Sequence, residues 1–213
     1  MFVQSRHVAA VDPAAPPALT RGPYLQLSTP SSVSIVWRTV GETQPVVRYG
    51  LDPARLDQTL ADGSILVRRA PKDGEVPNDL SLHSAPAGTV QYDATLTGLE
   101  TGTTYYYAIG NGATTLAGGD ADHFFRTHPE PGKAKPVRVW IVGDSGTGDD
   151  RQAAVYQAMR DYVTKQTHPL DLYLHVGDMA YPSGTDDEFQ RTFFDIYQPT
   201  LRNTVCWASM GNH

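Results

Sequence analysis

The segment 170-LDLYLHVGDMAY-181 decides the fold of the C-terminal half of this 213-residue chain. Its first seven residues are an apolar run of strand length. The run stops at Gly177-Asp178, and Tyr181 follows three residues after the aspartate. The same design stands on either side. Residues 137–142, VRVWIV, run into Gly143-Asp144-Ser145-Gly146. Residues 204–210, TVCWASM, run into Gly211-Asn212-His213. Between the first two runs, 149-DDRQAAVYQAMRDYV-163 places Val155, Met159 and Tyr162/Val163 on one side of a helix. Thr147, Asp149 and Asp150 stand near its start as capping candidates. Between the second pair, 186-DDEFQRTFFDIYQ-198 aligns Phe189, Phe193 and Ile196/Tyr197 as a second amphipathic helix. Strand, helix, strand, helix, strand predicts βαβ units, and apolar strands predict a parallel sheet covered on both faces.

Ligands of open α/β sheets bind beyond the carboxyl ends of the strands. Asp144, Asp178 and Asn212 are therefore expected at one rim, and they are 34 residues apart in each step. The preceding glycines let the chain turn sharply so that the next side chain enters the site. Two carboxylates held close repel unless a cation or a proton lies between them. One carboxylate has two oxygens and can bridge two cations, whereas an asparagine carbonyl is a neutral donor. A tyrosine phenolate is a hard anionic donor suited to a strongly Lewis-acidic ion such as Fe(III). Asp144, Asp178, Tyr181, Asn212 and His213 thus read as half of a dinuclear site, in which two metals about 3.5–4 Å apart hold a phosphoryl group.

The upstream half reads differently. Residues 1–19 are rich in Ala and Pro and are expected to be poorly ordered. From residue 20 to 127 the pattern is one of strands. SVSIVWR sets Val33, Ile35 and Trp37 on one face and Ser34 and Arg38 on the other; TVQYDATL sets Val90, Tyr92, Ala94 and Leu96 together. Alternation of this kind predicts half-buried antiparallel strands, and about 100 residues of them suit a β-sandwich. The stretch 98-GLETGTTYYYAI-109 resembles the tyrosine corner of fibronectin type III-like domains, in which a hydroxyl ties a strand to the preceding turn. Residues 128–136, HPEPGKAKP, carry three prolines and are expected to be a stiff linker, leaving 137–213 as the second domain.

Composition narrows the function. A net charge of −6 argues against a general nucleic-acid or anionic-membrane binder, which needs clustered Lys and Arg. No apolar run approaches the roughly 20 residues of a membrane span. The first 20 residues hold no continuous apolar core of a signal peptide. The single cysteine, Cys206, excludes an internal disulfide and reads as a small apolar residue of a buried strand.

GDSG, GDMAY and GNH, in that order, resemble the first three motifs of calcineurin-like metallophosphoesterases. Tyr181, three residues after Asp178, resembles the mark of the purple acid phosphatase branch, as do RGPYLQL, VSIVWRT and VVRYG upstream. That resemblance implies an all-β fibronectin type III-like sandwich followed by the first part of an α/β metallophosphoesterase domain. It implies an Fe(III) ion on Asp144 and Tyr181, a bridging Asp178, and a divalent Fe, Zn or Mn on Asn212. His213 would contact the phosphate rather than a metal. The implied activity is acid phosphatase: hydrolysis of phosphomonoesters by hydroxide attack in line. Secretion or a periplasmic location is implied as well. The family pattern continues with VxxH-like and GHxH motifs, and none of the seven histidines here forms H-x-H. The chain is therefore expected to be a truncated and inactive piece, with an open sheet edge and exposed apolar helix faces. The alternative is a non-catalytic β-sandwich that acts as a binding module.

Other readings of the same residues are weaker. GDSG also surrounds the nucleophilic serine of trypsin-like proteases, but here it lies between a strand and a helix. GDSGTGDD spaces its glycines like a P-loop but ends in two carboxylates, which would repel phosphate. His175, inside an apolar strand, reads as a core or supporting histidine, and His168 beside Pro169 as a solvated loop residue. TDDEF reads as a helix start with a solvated acidic face.

Overall fold

The structure is a computed structural model that describes residues 17–61, 63–71, 75 and 82–213. The expectation of poor order over residues 1–19 lies outside them for 1–16, whereas Ala18 and Leu19 already pair with Val40 and Thr39 in a strand. Residue 127 is preceded by the strands β1 (Ala18–Gln26), β2 (Ser32–Val40), β3 (Pro45–Gly50), β4 (Gln58–Ala61), β5 (Ile65–Arg69), β6 (Thr89–Thr97), β7 (Thr104–Asn111), β8 (Thr114–Gly118) and β9 (Phe124–Arg126). They form two antiparallel sheets, β1-β2-β6-β5 and β4-β3-β7-β8, with β9 added on β7. The period-two alternation in the sequence sets this architecture, because it gives each strand one apolar face to bury. Val33, Ile35 and Trp37 of β2 and Val90, Tyr92, Ala94 and Leu96 of β6 join Val47, Tyr107, Ile109 and Phe125 in one core. Trp37 stacks on Tyr92 across the β2–β6 pair, ring centroids 5.1 Å apart. The tyrosine corner is present: the Glu100 N–H donates to the Tyr105 hydroxyl at 3.0 Å.

β2 departs from the expected half-burial. Ser34, Val36 and Arg38, on its supposedly solvated face, are buried as well. The reason is tertiary. Val36 and Tyr24 enter a second cluster with Tyr156, Tyr173, Phe193, Tyr197 and Leu201 from the C-terminal half. The outer face of the β1–β2 sheet is therefore a docking surface.

That C-terminal half contains β10 (Val139–Val142), β11 (Leu172–His175) and β12 (Cys206–Ala208), parallel and in that order. Helix α1 (Asp150–Thr164) links the first two strands. A longer helical segment links the second two: α2 (Asp186–Phe189), a π turn over Gln190–Phe194, and α3 (Asp195–Leu201). The expected second helix is thus interrupted, and Thr192 of the π turn donates its hydroxyl to the carbonyls of Glu188 and Met179. Two crossovers of the same hand put both helices on one side of the sheet. Trp140 there meets Tyr156, Tyr173 and Tyr197. Ile141 and Val176 point the other way and are about 60% exposed, so among the described residues the sheet is covered on one face, not two.

Helix α1 also turns differently from its apolar pattern. Asp149 caps it as expected, accepting from Arg151 and Gln152. Gln152 and Tyr156 are its buried residues, whereas Val155 and Tyr162 are exposed. A glutamine wins the inner position because each end of its amide is bonded. Its oxygen accepts from the Gly148 N–H, and its nitrogen donates to the Thr192 carbonyl and the Tyr197 hydroxyl.

The two halves are clasped by charge. Arg21 and Arg38, both buried, converge on the Asp186 carboxylate at the start of α2. Arg21 also donates to Gln190 at 2.7 Å and lies 3.8 Å over the Phe194 ring, and Arg38 donates to Gln91 at 2.8 Å. Asp186 at the acidic start of this helix is thus a tether, whereas Asp187 beside it is solvated as expected. Thr185 and Glu188 complete a capping box beside it. The Tyr107 hydroxyl adds a bond to the Arg202 carbonyl at 2.7 Å. His168 is likewise not free in solvent, because its Nε2 lies 2.6 Å from Asp171.

Asp186→Ala leaves two buried guanidinium groups without their carboxylate and should destabilise the chain by about 3 kcal/mol. Tyr105→Phe removes only the corner bond and should cost about 1 kcal/mol. Urea unfolding followed by tryptophan fluorescence measures both. Equal losses for the two variants would contradict the clasp.

Candidate metal centre

The parallel register pairs Val142 with His175, so the chains leaving β10 and β11 emerge side by side. Backbone bonds continue beyond the strands. Asp144 N–H donates to the Gly177 carbonyl and Gly146 N–H to the Asp178 carbonyl, each at 3.1 Å. Tyr181 N–H donates to the Gly146 carbonyl at 3.0 Å. Asp144 and Asp178 both adopt left-handed backbone conformations, φ 52° and 57°. Aspartate tolerates that region better than most residues, and its use at two equivalent corners aims both carboxylates over the sheet rim. The loops touch backbone to backbone. A Cβ at Gly146 would overlap Met179 and Ala180, and one at Gly211 would overlap the Asp178 carboxylate.

The side chains converge on one oxygen. The Tyr181 hydroxyl lies 3.1 Å from Asp178 Oδ2 and 3.3 Å from Asp144 Oδ1. The other oxygen of Asp178, Oδ1, accepts the His213 N–H at 2.9 Å. That backbone donor is the main reason the Asp178 carboxyl is held below its ordinary range, against the opposing effect of burial. Tyr181 is pushed the other way, to about 12, by burial first and then by the two carboxylates. The His213 ring packs 4.9 Å from that of Tyr181, and its Nδ1 lies 2.9 Å from the Pro182 carbonyl. A carbonyl only accepts, so Nδ1 carries the hydrogen and Nε2 is left to face solvent. Asp144, Asp178, Tyr181 and the His213 backbone are thus brought together. Asn212 stands beside them with its N–H toward Asp178, but the residue itself is exposed.

No group of three or more His, Cys, Asp or Glu among the described residues is arranged to hold a metal ion. The donors gathered here are two carboxylates and a phenol, with an amide adjacent. Hard oxygen donors of this kind fit a Lewis-acidic cation, which would take the place of the phenolic hydrogen between Tyr181 and the carboxylates.

Behind the carboxylates His175 is the buried, supporting histidine expected of it, but its pairing with Ser145 was not anticipated. His175 is 1% exposed, and its Nδ1 accepts the Gly177 N–H at 3.3 Å. That bond leaves the hydrogen on Nε2, which lies 2.8 Å from the Ser145 hydroxyl. Ser145 is also bonded to the Tyr197 hydroxyl. Ser145 is therefore a buried connector. The available signal was a lone imidazole in an apolar strand, one residue from the glycine turn.

Residues 21–127 match the family model described as the purple acid phosphatase N-terminal domain. The chain belongs to the purple acid phosphatase family. It is 25% identical to "Probable inactive purple acid phosphatase 27" of Arabidopsis thaliana over 98% of its own length and 35% of that relative's. It is 28% identical to "Probable inactive purple acid phosphatase 24" of the same plant, over 51% of its length and 19% of the relative's. The chain thus spans about a third or less of the length of the curated relatives it matches. Its fold is similar to that of the purple acid phosphatase PPD1 from yellow lupin (Lupinus luteus) seeds. The TM-score is 0.67 at 17% identity, over 90% of this chain and 35% of that one.

Burial drives the His175 pKa down to about 4, and the nearby Asp144 and Asp178 charges only partly oppose it. As pH falls, the unfolded chain takes up that proton first, near its ordinary value of 6.5. The stability associated with neutral His175 should be full above about pH 6.5 and decline toward pH 4. Urea unfolding midpoints across that window should fall more steeply for the native chain than for His175→Gln. Parallel slopes would contradict the assignment.

Proposed function

We propose that residues 137–213 are the first part of a metallophosphoesterase domain, and that the protein serves as a metal-dependent acid phosphatase acting on phosphomonoesters. The observation that carries this reading is the Tyr181 hydroxyl lying within hydrogen-bond reach of both Asp144 and Asp178. Family membership supports it. Asp144 and Tyr181 would hold an Fe(III) ion, Asp178 would reach both ions of a dinuclear centre, and Asn212 would offer its neutral carbonyl to a divalent Fe, Zn or Mn. Such a pair supplies Lewis acidity and a nucleophile available near neutral pH.

The chain's own residues then have distinct tasks. Asp178 suits the shared position because its two oxygens already face different partners, Tyr181 on one side and the 211–213 loop on the other. Tyr181 must release its hydrogen to bind, and the carboxylates that raise its pKa are those a cation would neutralise. His213, pinned through Nδ1 to Pro182, presents Nε2 to a phosphoryl or leaving-group oxygen and can hold or deliver a proton there. The β-sandwich supports the site from behind through the Asp186 clasp.

A second reading, a non-catalytic binding module, is favoured by one observation: both curated relatives carry "inactive" in their names. Iron loading separates the two. The chain reconstituted with Fe(III) should develop a visible tyrosinate absorption that disappears in Tyr181→Phe and in Asp178→Asn. A colourless native chain under the same loading would favour the binding module.

A further inference from the structure

We infer that His175 and Ser145 are positioning residues that set the separation of Asp144 and Asp178, a role that rests on the metal-centre reading for its purpose but not for its geometry. Each member of the pair belongs to one of the two carboxylate corners. Ser145 follows Asp144 directly, and His175 grips the Gly177 N–H immediately before Asp178. The 2.8 Å bond between Nε2 and the serine hydroxyl therefore spans the two loops beneath their carboxylates. The backbone bonds between these loops fix their main chains, but each carboxylate sits at a strained left-handed residue. Two like charges there push the corners apart, and a strut on the buried side resists that push.

The chemistry of the pair suits a strut. A buried imidazole costs free energy unless both nitrogens are bonded, and here both are. Ser145 is anchored in turn to Tyr197, and Tyr197 to Gln152. The strut thus rests on helices α1 and α3, and α3 belongs to the helical segment docked on β1–β2. A hydrophobic residue at position 175 would pack equally well but would leave Ser145 and Gly177 without a shared partner. Groups that orient metal-binding side chains from outside the ligand set alter affinity by about 10–100-fold when removed.

Two measurements on the 213-residue chain test this, with Ser145→Ala as the mild variant, His175→Leu as the severe one and His175→Gln as the conservative one. The first is amide hydrogen exchange at Asp144, Gly146 and Tyr181 in the metal-free protein. It should accelerate about tenfold or more in Ser145→Ala and His175→Leu, while Trp37 and Tyr92 in the sandwich keep their protection. His175→Gln, which retains a donor toward Ser145, should recover part of the loss. The second is Fe(III) affinity, read from the visible absorbance, which should weaken about 10–100-fold in Ser145→Ala. Unchanged exchange at the three amides would overturn the strut. So would a variant that lowers overall stability yet keeps the native iron affinity. Faster exchange in the variants, combined with a native chain that binds no iron, would uphold the strut and remove the phosphatase reading instead.

Discussion

Two carboxylates at neighbouring ends of a parallel sheet cannot sit close together without something to offset their repulsion. Everything at this rim answers that constraint. The phenolic hydrogen of Tyr181 lies within reach of both carboxylates, and the N–H of His213 neutralises part of the charge on Asp178. Glycines at 146 and 211 let three loops approach closely enough for those bonds to form. The rim thus holds its acids with one shared hydrogen and a few backbone dipoles.

The β-sandwich takes part in the same arrangement. Its outer face, β1 and β2, is the floor on which the α2–α3 segment lies, and Arg21 and Arg38 reach through that floor to Asp186. From there the contacts are continuous. The π turn bonds to Met179 beside Asp178, and Gln152 ties the π turn to the loop that follows Asp144. The apolar body here is aromatic: Tyr24 meets Phe194 across the two parts, and behind that contact Trp140 packs against Tyr173 and Tyr197 within the C-terminal part. Large flat side chains bury much area with few rotamers to freeze, which suits a rigid support.

Much of this was legible in the residues. Alternation in SVSIVWR and TVQYDATL marked the inner faces of β2 and β6, and GLETGTTYYY marked the tyrosine corner at Tyr105. The repeated strand-Gly-Asp pattern marked Asp144 and Asp178 as neighbours because parallel strands in register must deliver equivalent positions to one rim. The errors share a cause. Ser34 and Arg38 looked solvated, Val155 and Tyr162 looked buried, and Asp186 looked like a surface acid. In each case a partner far away in sequence decided the outcome: helices on the outer sheet face, a doubly bonded Gln152, and two arginines 165 and 148 residues upstream of their carboxylate.

The sequence alone determined local direction: where strands run, where they stop, and which donors stand at their ends. Those choices follow from side-chain periodicity and from glycine, which act over a few residues. Tertiary structure decided which polar groups are buried and with whom, since burial depends on surfaces that meet only after the chain has folded back on itself. The His175–Ser145 bond belongs to that second class. Nothing within a few residues of either one specifies it; it can form because parallel strands in register bring the two corners side by side.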